Sequence, residues 1–133
     1  TKKDLKVVTK KKPSQTQTED LIFAFKVVRY VKSNAIVFVK NKTTLGIGAG
    51  QMSRIDSTKI AKNKAKNFNI NLKGSIMASE AFFPFPDNVN LAHKIGVTSI
   101  IQPGGSLRDK VIIDIADKLK ISMVFSGTRV FKH

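Results

Sequence analysis

The chain alternates short apolar, β-branched runs with segments of helical periodicity, and this alternation limits the folds it can adopt. Strands are predicted over residues 5–8, 35–39, 43–47, 75–78, 97–101 and 121–125. Helices are predicted over residues 18–32, 51–67, 87–95 and 107–119. Strands alternating with helices favour an α/β fold, a layered sheet with helices on both faces. Because neither an internal repeat nor a linker is visible, we expect residues 1–133 to form a single domain.

Two helix boundaries carry specific signals. Thr18 is expected to cap the first helix, since a hydroxyl followed by Glu19 and Asp20 places acids in the first turn. Gly96 is expected to end the third helix, because glycine readily adopts the left-handed conformation found after helix ends.

Four unusual segments follow predicted strands. They are residues 46–54, 79–87 and 102–108, and the tail after Phe125. Ligands of open α/β sheets bind beyond the carboxyl ends of the strands. The placement of these segments therefore predicts one shared binding site.

The loop after the fourth strand is the least ordinary of these segments. Residues 82–86 contain three phenylalanines and two prolines, with Glu80 and Asp87 on either side. The prolines are unsuited to a core strand because each lacks a backbone donor. A rigid backbone with aromatic side chains beside a carboxylate indicates a wall for a flat ligand. A loop that packs its aromatic side chains beneath itself fits the pattern about equally well.

Composition excludes several classes of protein. The chain has no cysteine, which excludes disulfide scaffolds, thiolate zinc sites and cysteine nucleophiles. No apolar run reaches the ~18 residues of a membrane helix, and no signal peptide is visible, so we expect a cytosolic protein without a membrane partner. The net charge of +15 favours anionic partners, yet only four of the 24 basic residues are arginine. Lysines such as those over residues 59–66 are expected on a solvated face.

Candidate ligand-binding groups lie at the ends of these loops. Ser53 and Arg54 open a helix and offer amide and guanidinium donors to an anion, although Ser53 also fits as a plain N-cap. Residues 102–106 offer similar donors or form a simple strand–helix turn. Asn34 either caps a helix or reads a ligand amide. His93 has no partner nearby in sequence, and we find no catalytic triad, carboxylate pair or metal-ligand set.

Five motifs, in order along the chain, resemble the carboxy-terminal end of the bifunctional purine biosynthesis family, in which an AICAR transformylase is joined to an IMP cyclohydrolase. They are Lys32-Ser-Asn-Ala35, Gly46-Ile-Gly-Ala-Gly-Gln-Met-Ser-Arg54, Ser79-Glu-Ala-Phe-Phe-Pro-Phe85, Gln102-Pro-Gly-Gly-Ser106 and Thr128-Arg-Val-Phe-Lys-His133. The resemblance covers essentially the whole chain. It implies a cytidine-deaminase-like module with a mixed sheet, and active sites at a homodimer interface. It also implies formyl transfer from 10-formyltetrahydrofolate to AICAR in purine (IMP) synthesis.

The resemblance also implies a division of the ligand contacts between two substrates. The residues implied to contact the AICAR nucleotide are Asn34, Arg54, Phe82 and Arg129. The residues implied to contact the folate are Ile55, Asp87, Ser106 and Leu107.

The chain departs from the family pattern in its missing segments and at Glu80, and it also lacks the signature of the zinc deaminases, whose fold it is expected to share. The family's catalytic Lys-His pair belongs to an upstream transformylase segment that is absent here, as is the cyclohydrolase domain, so we expect the isolated chain to be inactive. Glu80 stands where relatives often have Asp, near a potassium ion that some members hold, which leaves a potassium site open. The zinc deaminase signature is missing, so deamination is not expected.

Two other functions remain as alternatives. The charge of +15 and pI of about 10.3 favour a basic nucleic-acid-binding module, but the scarcity of arginine and the absence of a basic recognition helix make it the weaker interpretation. A structural dimerisation domain that serves a larger enzyme without touching ligand is the third.

Overall fold

The computed structural model describes residues 5–31, 35–48, 54–67, 70–83 and 86–127. The elements in chain order are β1 (Lys6–Val7), α1 (Gln15–Val28), β2 (Ile36–Lys40), β3 (Thr43–Gly48), α2 (Arg54–Asn67), β4 (Ile76–Ser79), α3 (Asp87–Ile95), β5 (Ser99–Gln102), α4 (Asp109–Lys118) and β6 (Ser122–Phe125). Every predicted strand and helix is therefore present, with ends that move by a few residues.

The six strands form one mixed sheet in the order β1-β6-β5-β4-β2-β3. The central strands β4, β5 and β6 are parallel to one another, whereas β2 is antiparallel to both β3 and β4. The strand β1 is an edge strand of the sheet and pairs antiparallel with β6. The prediction of a layered mixed sheet is confirmed.

The helices cover both faces of the sheet because alternate residues of each buried strand point to opposite sides. On one face, α1 packs Leu21, Phe25 and Val28 against β2 and β4. On the other, α2, α3 and α4 pack against Phe38, Met77 and neighbouring core residues. Burial on both faces explains why β2 and β4 begin with continuous apolar runs rather than alternating ones.

The first helix begins earlier than the sequence predicted. Its N-cap is Ser14, whose hydroxyl accepts a hydrogen bond from Gln17 N at 3.1 Å while Gln17 Oε1 accepts one from Ser14 N at 2.8 Å. This reciprocal capping box places the start at Gln15, so the prediction of Thr18 as N-cap is wrong. The helix also ends at Val28, short of the predicted residue 32.

Asp20 has a different role from the one predicted. It lies in the second turn of α1, is buried, and its two carboxylate oxygens accept hydrogen bonds from Asn41 N at 3.0 Å and Lys42 N at 2.8 Å. Asn41 and Lys42 have φ values of 52° and 55°, as in a tight hairpin turn between twisted strands. Asp20 therefore fastens the β2–β3 turn to α1 instead of stabilising the helix start.

The third helix begins and ends where the sequence predicted. It runs from Asp87 to Ile95, and Gly96 follows in the left-handed conformation with a φ of 103°. Among the helices described, none is both long and apolar enough to span a bilayer.

Candidate binding site

The described strand ends that lead into the segments singled out above lie at one edge of the sheet. Because β3, β4, β5 and β6 run in the same direction, their carboxyl ends lie together. The antiparallel β2 contributes its amino end there, since Ile36 pairs with both Gly48 and Ser79. We call this edge of the sheet the carboxyl edge. The predicted convergence is confirmed for the described strand ends that lead into each segment.

The aromatic segment, residues 79–87, combines the two predicted roles of a ligand-facing wall and a loop packed on itself. Each of its two described phenylalanines matches one of these roles. Phe83 is fully buried and belongs to the core on the α2–α4 side. Phe82, its neighbour, is 41% exposed. Pro84 and Phe85 lie outside the described residues. One ring thus anchors the loop by packing, while the other stays available to a ligand.

Gln102 connects the aromatic segment to the next strand. Its side chain is fully buried at the end of β5, and its Oε1 accepts a hydrogen bond from Phe83 N at 2.8 Å. Its Nε2 donates to Met123 Sδ at 3.4 Å. This role of Gln102 was not predicted from the sequence. The available signal was an amide at the end of an otherwise apolar strand, where a buried polar group needs partners.

Glu80 connects the same segment to the strand on its other side. Its Oε1 accepts a hydrogen bond from Ala35 N at 3.1 Å, so the carboxylate fixes the backbone where β2 begins. Asn34, directly before Ala35, lies outside the described residues. The hydrogen bond joins the residue that follows β4 to the residue that precedes β2. This contact was not predicted from the sequence.

In the loop between β5 and α4, the backbone amides of Gly105 and Ser106 are already hydrogen-bonded within the loop and the first turn of α4. Gly105 N donates to Asp109 Oδ2 at 2.8 Å, and Ser106 N donates to Asp109 Oδ1 at 3.1 Å. The hydroxyl of Ser106 accepts from Arg108 N at 3.1 Å. The prediction that these groups are free for an anion is therefore wrong for the two amides, because Asp109 satisfies them. The interpretation as a well-formed strand–helix turn is the better one.

The remaining predicted contact residues differ in how far the structure describes them. Asp87 is exposed at the first position of α3, and the side chain of Leu107 is fully exposed just before α4. Arg54 and Ile55 are the first residues of α2, and their side chains lie outside the described part of the structure. Asn34 and Arg129 lie outside the described residues. The assignment of these residues to AICAR or folate stays a prediction.

A cavity among the described residues lies away from the carboxyl edge. It has a volume of about 410 Å³, lies between the ends of α2 and α3 and is lined by Lys62, Lys66 and Lys94 over an apolar floor. These ends belong to the opposite edge of the sheet, and the lysines beside helix carboxyl ends are placed to offset the helix dipoles. Within the described ranges, no cluster of three or more His, Asp or Glu side chains is placed to hold a metal ion.

Known sequences resemble this chain over its whole length. The family model of the AICARFT/IMPCHase bienzyme matches residues 1–64. The chain is 54% identical over 132 residues to the bifunctional purine biosynthesis protein PurH of Chlorobium chlorochromatii, covering 99% of this chain. It is 55% identical over 129 residues to PurH of Aquifex aeolicus, covering 97% of this chain. The chain spans about a quarter of the length of these relatives.

Solved structures resemble the chain in fold. A diaminohydroxyphosphoribosylaminopyrimidine deaminase/5-amino-6-(5-phosphoribosylamino)uracil reductase from Thermotoga maritima superposes with a TM-score of 0.54 at 14% identity, over 84% of this chain and 35% of that one. The dCMP deaminase of cyanophage S-TIM5 gives 0.54 at 15% identity, over 84% of this chain and 98% of that one. The deaminase-like fold that the resemblance implied is therefore confirmed.

Proposed function

We propose that this chain is the carboxy-terminal part of a bifunctional purine biosynthesis enzyme and that it supplies nucleotide- and folate-binding loops to its AICAR formyltransferase. Support comes from the identity of about 54% to PurH proteins over nearly all of the chain. The observation that carries the proposal is the gathering, at the carboxyl edge, of the described strand ends that lead into the motif-bearing segments. That edge is where open α/β sheets bind their ligands.

The proposed ligands are AICAR and 10-formyltetrahydrofolate. The proposed AICAR contacts are Asn34, Arg54, Phe82 and Arg129, and the proposed folate contacts are Ile55, Asp87, Ser106 and Leu107. An exposed ring at Phe82 suits a flat heterocycle. The exposed carboxylate of Asp87 suits the amide-like and amino groups of a pterin ring.

In this proposal the chain binds and orients the substrates, and another segment of the parent enzyme performs the proton transfer. Formyl transfer requires the AICAR amine to attack the formyl carbon, form a carbon–nitrogen bond and lose a proton. The bond between the formyl carbon and N10 of the folate breaks in turn, and tetrahydrofolate leaves after N10 takes up a proton. The only described histidine, His93, is exposed on α3 with no catalytic partner in the described residues. The contribution expected of this chain is therefore proximity and orientation, which in general supply a large share of catalysis.

The proposal includes a homodimer, a cytosolic location and a monovalent cation near Glu80. One oxygen of that carboxylate accepts a hydrogen bond from Ala35 N. The second oxygen has capacity for a cation, because a carboxylate carries about four acceptor sites.

The test uses the full-length parent enzyme, with AICAR and 10-formyltetrahydrofolate as substrates. We expect Asp87→Asn to raise the KM for the folate by about 10- to 100-fold, the range of a lost charge-assisted hydrogen bond. Asp114→Asn is the matched control, since it removes the same charge from an exposed site within α4. The proposed function fails if the wild-type enzyme transfers no formyl group, and the folate assignment fails if both variants behave alike.

A further inference from the structure

Gln102 attaches the aromatic segment to β5, as Glu80 attaches it to the beginning of β2. Beyond Ser79 the chain leaves β4, so the strand ladder no longer satisfies its backbone groups. Phe83 is fully buried, and its N–H needs an acceptor out of reach of solvent. Gln102 Oε1 supplies that acceptor at 2.8 Å.

The orientation of the Gln102 amide follows from chemistry. Only its oxygen can accept from the Phe83 N–H, which places Nε2 toward Met123 Sδ. A thioether is a weak acceptor, so the strong interaction of the amide is the one with Phe83. The backbone of Gln102 is held as well, because its carbonyl accepts from Ser126 N at 2.9 Å.

This bond fixes which phenylalanine faces outward. With the backbone of Phe83 held to β5, the ring of Phe83 lies in the core and that of Phe82 is 41% exposed. Without this hydrogen bond, the Phe83 N–H would be buried with no acceptor. Because an unsatisfied buried donor is costly, the segment would shift to expose it or to find another acceptor. A displacement of about 1 Å at a binding wall is enough to weaken ligand positioning.

We propose that Gln102 is a positioning residue that acts through Phe82, holding this ring where it packs on a flat aromatic nucleotide. The inference rests on the proposed function and deepens it. It assigns a role in ligand affinity to a residue that is itself fully buried and touches no ligand.

The test compares Gln102→Met and Phe82→Leu with the double variant in the full-length enzyme. We expect each single variant to raise the KM for AICAR by about 3- to 10-fold, the range of one aromatic contact, with kcat changed less than threefold. The double variant should be no worse than Phe82→Leu alone, because Gln102 acts through that ring. Amide hydrogen exchange at Phe83 should accelerate at least about tenfold in Gln102→Met.

Ser99→Ala is the matched control. Ser99 lies at the other end of β5, is equally buried, and its hydroxyl is hydrogen-bonded to Ser122 Oγ at 2.6 Å. This variant should lose stability without changing the KM for AICAR or the exchange at Phe83. Where Gln102→Met does not fold, Gln102→Asn replaces it with the same expectations, since it keeps the amide but shortens its reach.

Each outcome bears on one of the two proposals. If the increases in the KM for AICAR multiply in the double variant, the two residues act independently. That result would overturn the positioning role of Gln102 but not the proposed formyltransferase function. A KM change in Ser99→Ala equal to that in Gln102→Met would also overturn it, because the effect would then be general destabilisation. A wild-type enzyme without formyl transfer overturns the proposed function itself, whatever the exchange at Phe83.

Discussion

Replacing Gly104 with alanine should destabilise the loop between β5 and α4 strongly. Gly104 is buried with a φ of +76°, and an added Cβ would lie 2.6 Å from Phe125 Cε2 and 2.9 Å from Phe125 Cγ. The left-handed backbone costs a non-glycine residue roughly 1–2 kcal/mol, and overpacking adds about 1–3 kcal/mol. A stiffer unfolded chain returns about 0.4–1 kcal/mol. The expected loss in the free energy of unfolding is therefore about 1–5 kcal/mol.

Gly127→Ala separates the two contributions. Gly127 has a similar φ of +82°, but an added Cβ there meets nothing within 4 Å. Only the backbone cost applies, so we expect a loss of at most about 1.5 kcal/mol. The assay is urea denaturation followed by circular dichroism, with the change in midpoint compared at constant slope. Equal losses in the two variants would refute the argument that the Phe125 ring sets the requirement for glycine.

Three further variants test contacts elsewhere in the fold by the same denaturation assay. Gly46→Ala should cost about 1–3 kcal/mol, because its Cβ would lie 2.7 Å from Ala61 O in α2; a neutral result would show that α2 shifts freely on β3. Ser14→Ala should lower the free energy of unfolding by about 0.5–2 kcal/mol. The double variant with Gln17→Ala should lose less than the sum of the two single variants, since the two hydrogen bonds form one capping box, and strictly additive losses would argue against that box. Asp20→Ala should cost about 1–3 kcal/mol by leaving two amides of the β2–β3 turn without acceptors, and an unchanged midpoint would mean that this carboxylate does not hold the turn.

The local pattern of the sequence was sufficient to predict the helices and strands but not every residue at which they begin and end. Asp87 and Gly96 delimit α3 as predicted, because an acidic first turn and a left-handed glycine act locally. The start of α1 was misplaced because Thr18 also looks like an N-cap. In the structure its hydroxyl donates to Ser14 O at 2.9 Å, one turn inside the helix.

The location of the candidate site could be predicted, while its internal contacts could not. Parallel strands carry their loops to one edge whatever the side chains are, so the convergence followed from the order of the elements. The bonds from Phe83 to Gln102 and from Ala35 to Glu80 join residues 19 and 45 positions apart. Contacts over such separations depend on strand order and register, which periodicity does not encode.

The pairing of β1 with β6 determines at which edge of the sheet β1 begins. Lys6 pairs with Phe125 and Val7 with Val124, so β1 starts beside the end of β6 and runs away from the carboxyl edge. Thr9 secures this arrangement, since its Oγ1 accepts from Met123 N at 2.8 Å. A polypeptide joined ahead of β1 is thereby tethered to the rim of the candidate site and present there at high effective concentration. Under the proposed function, catalytic groups on a segment joined ahead of β1 would therefore reach the carboxyl edge over a short distance.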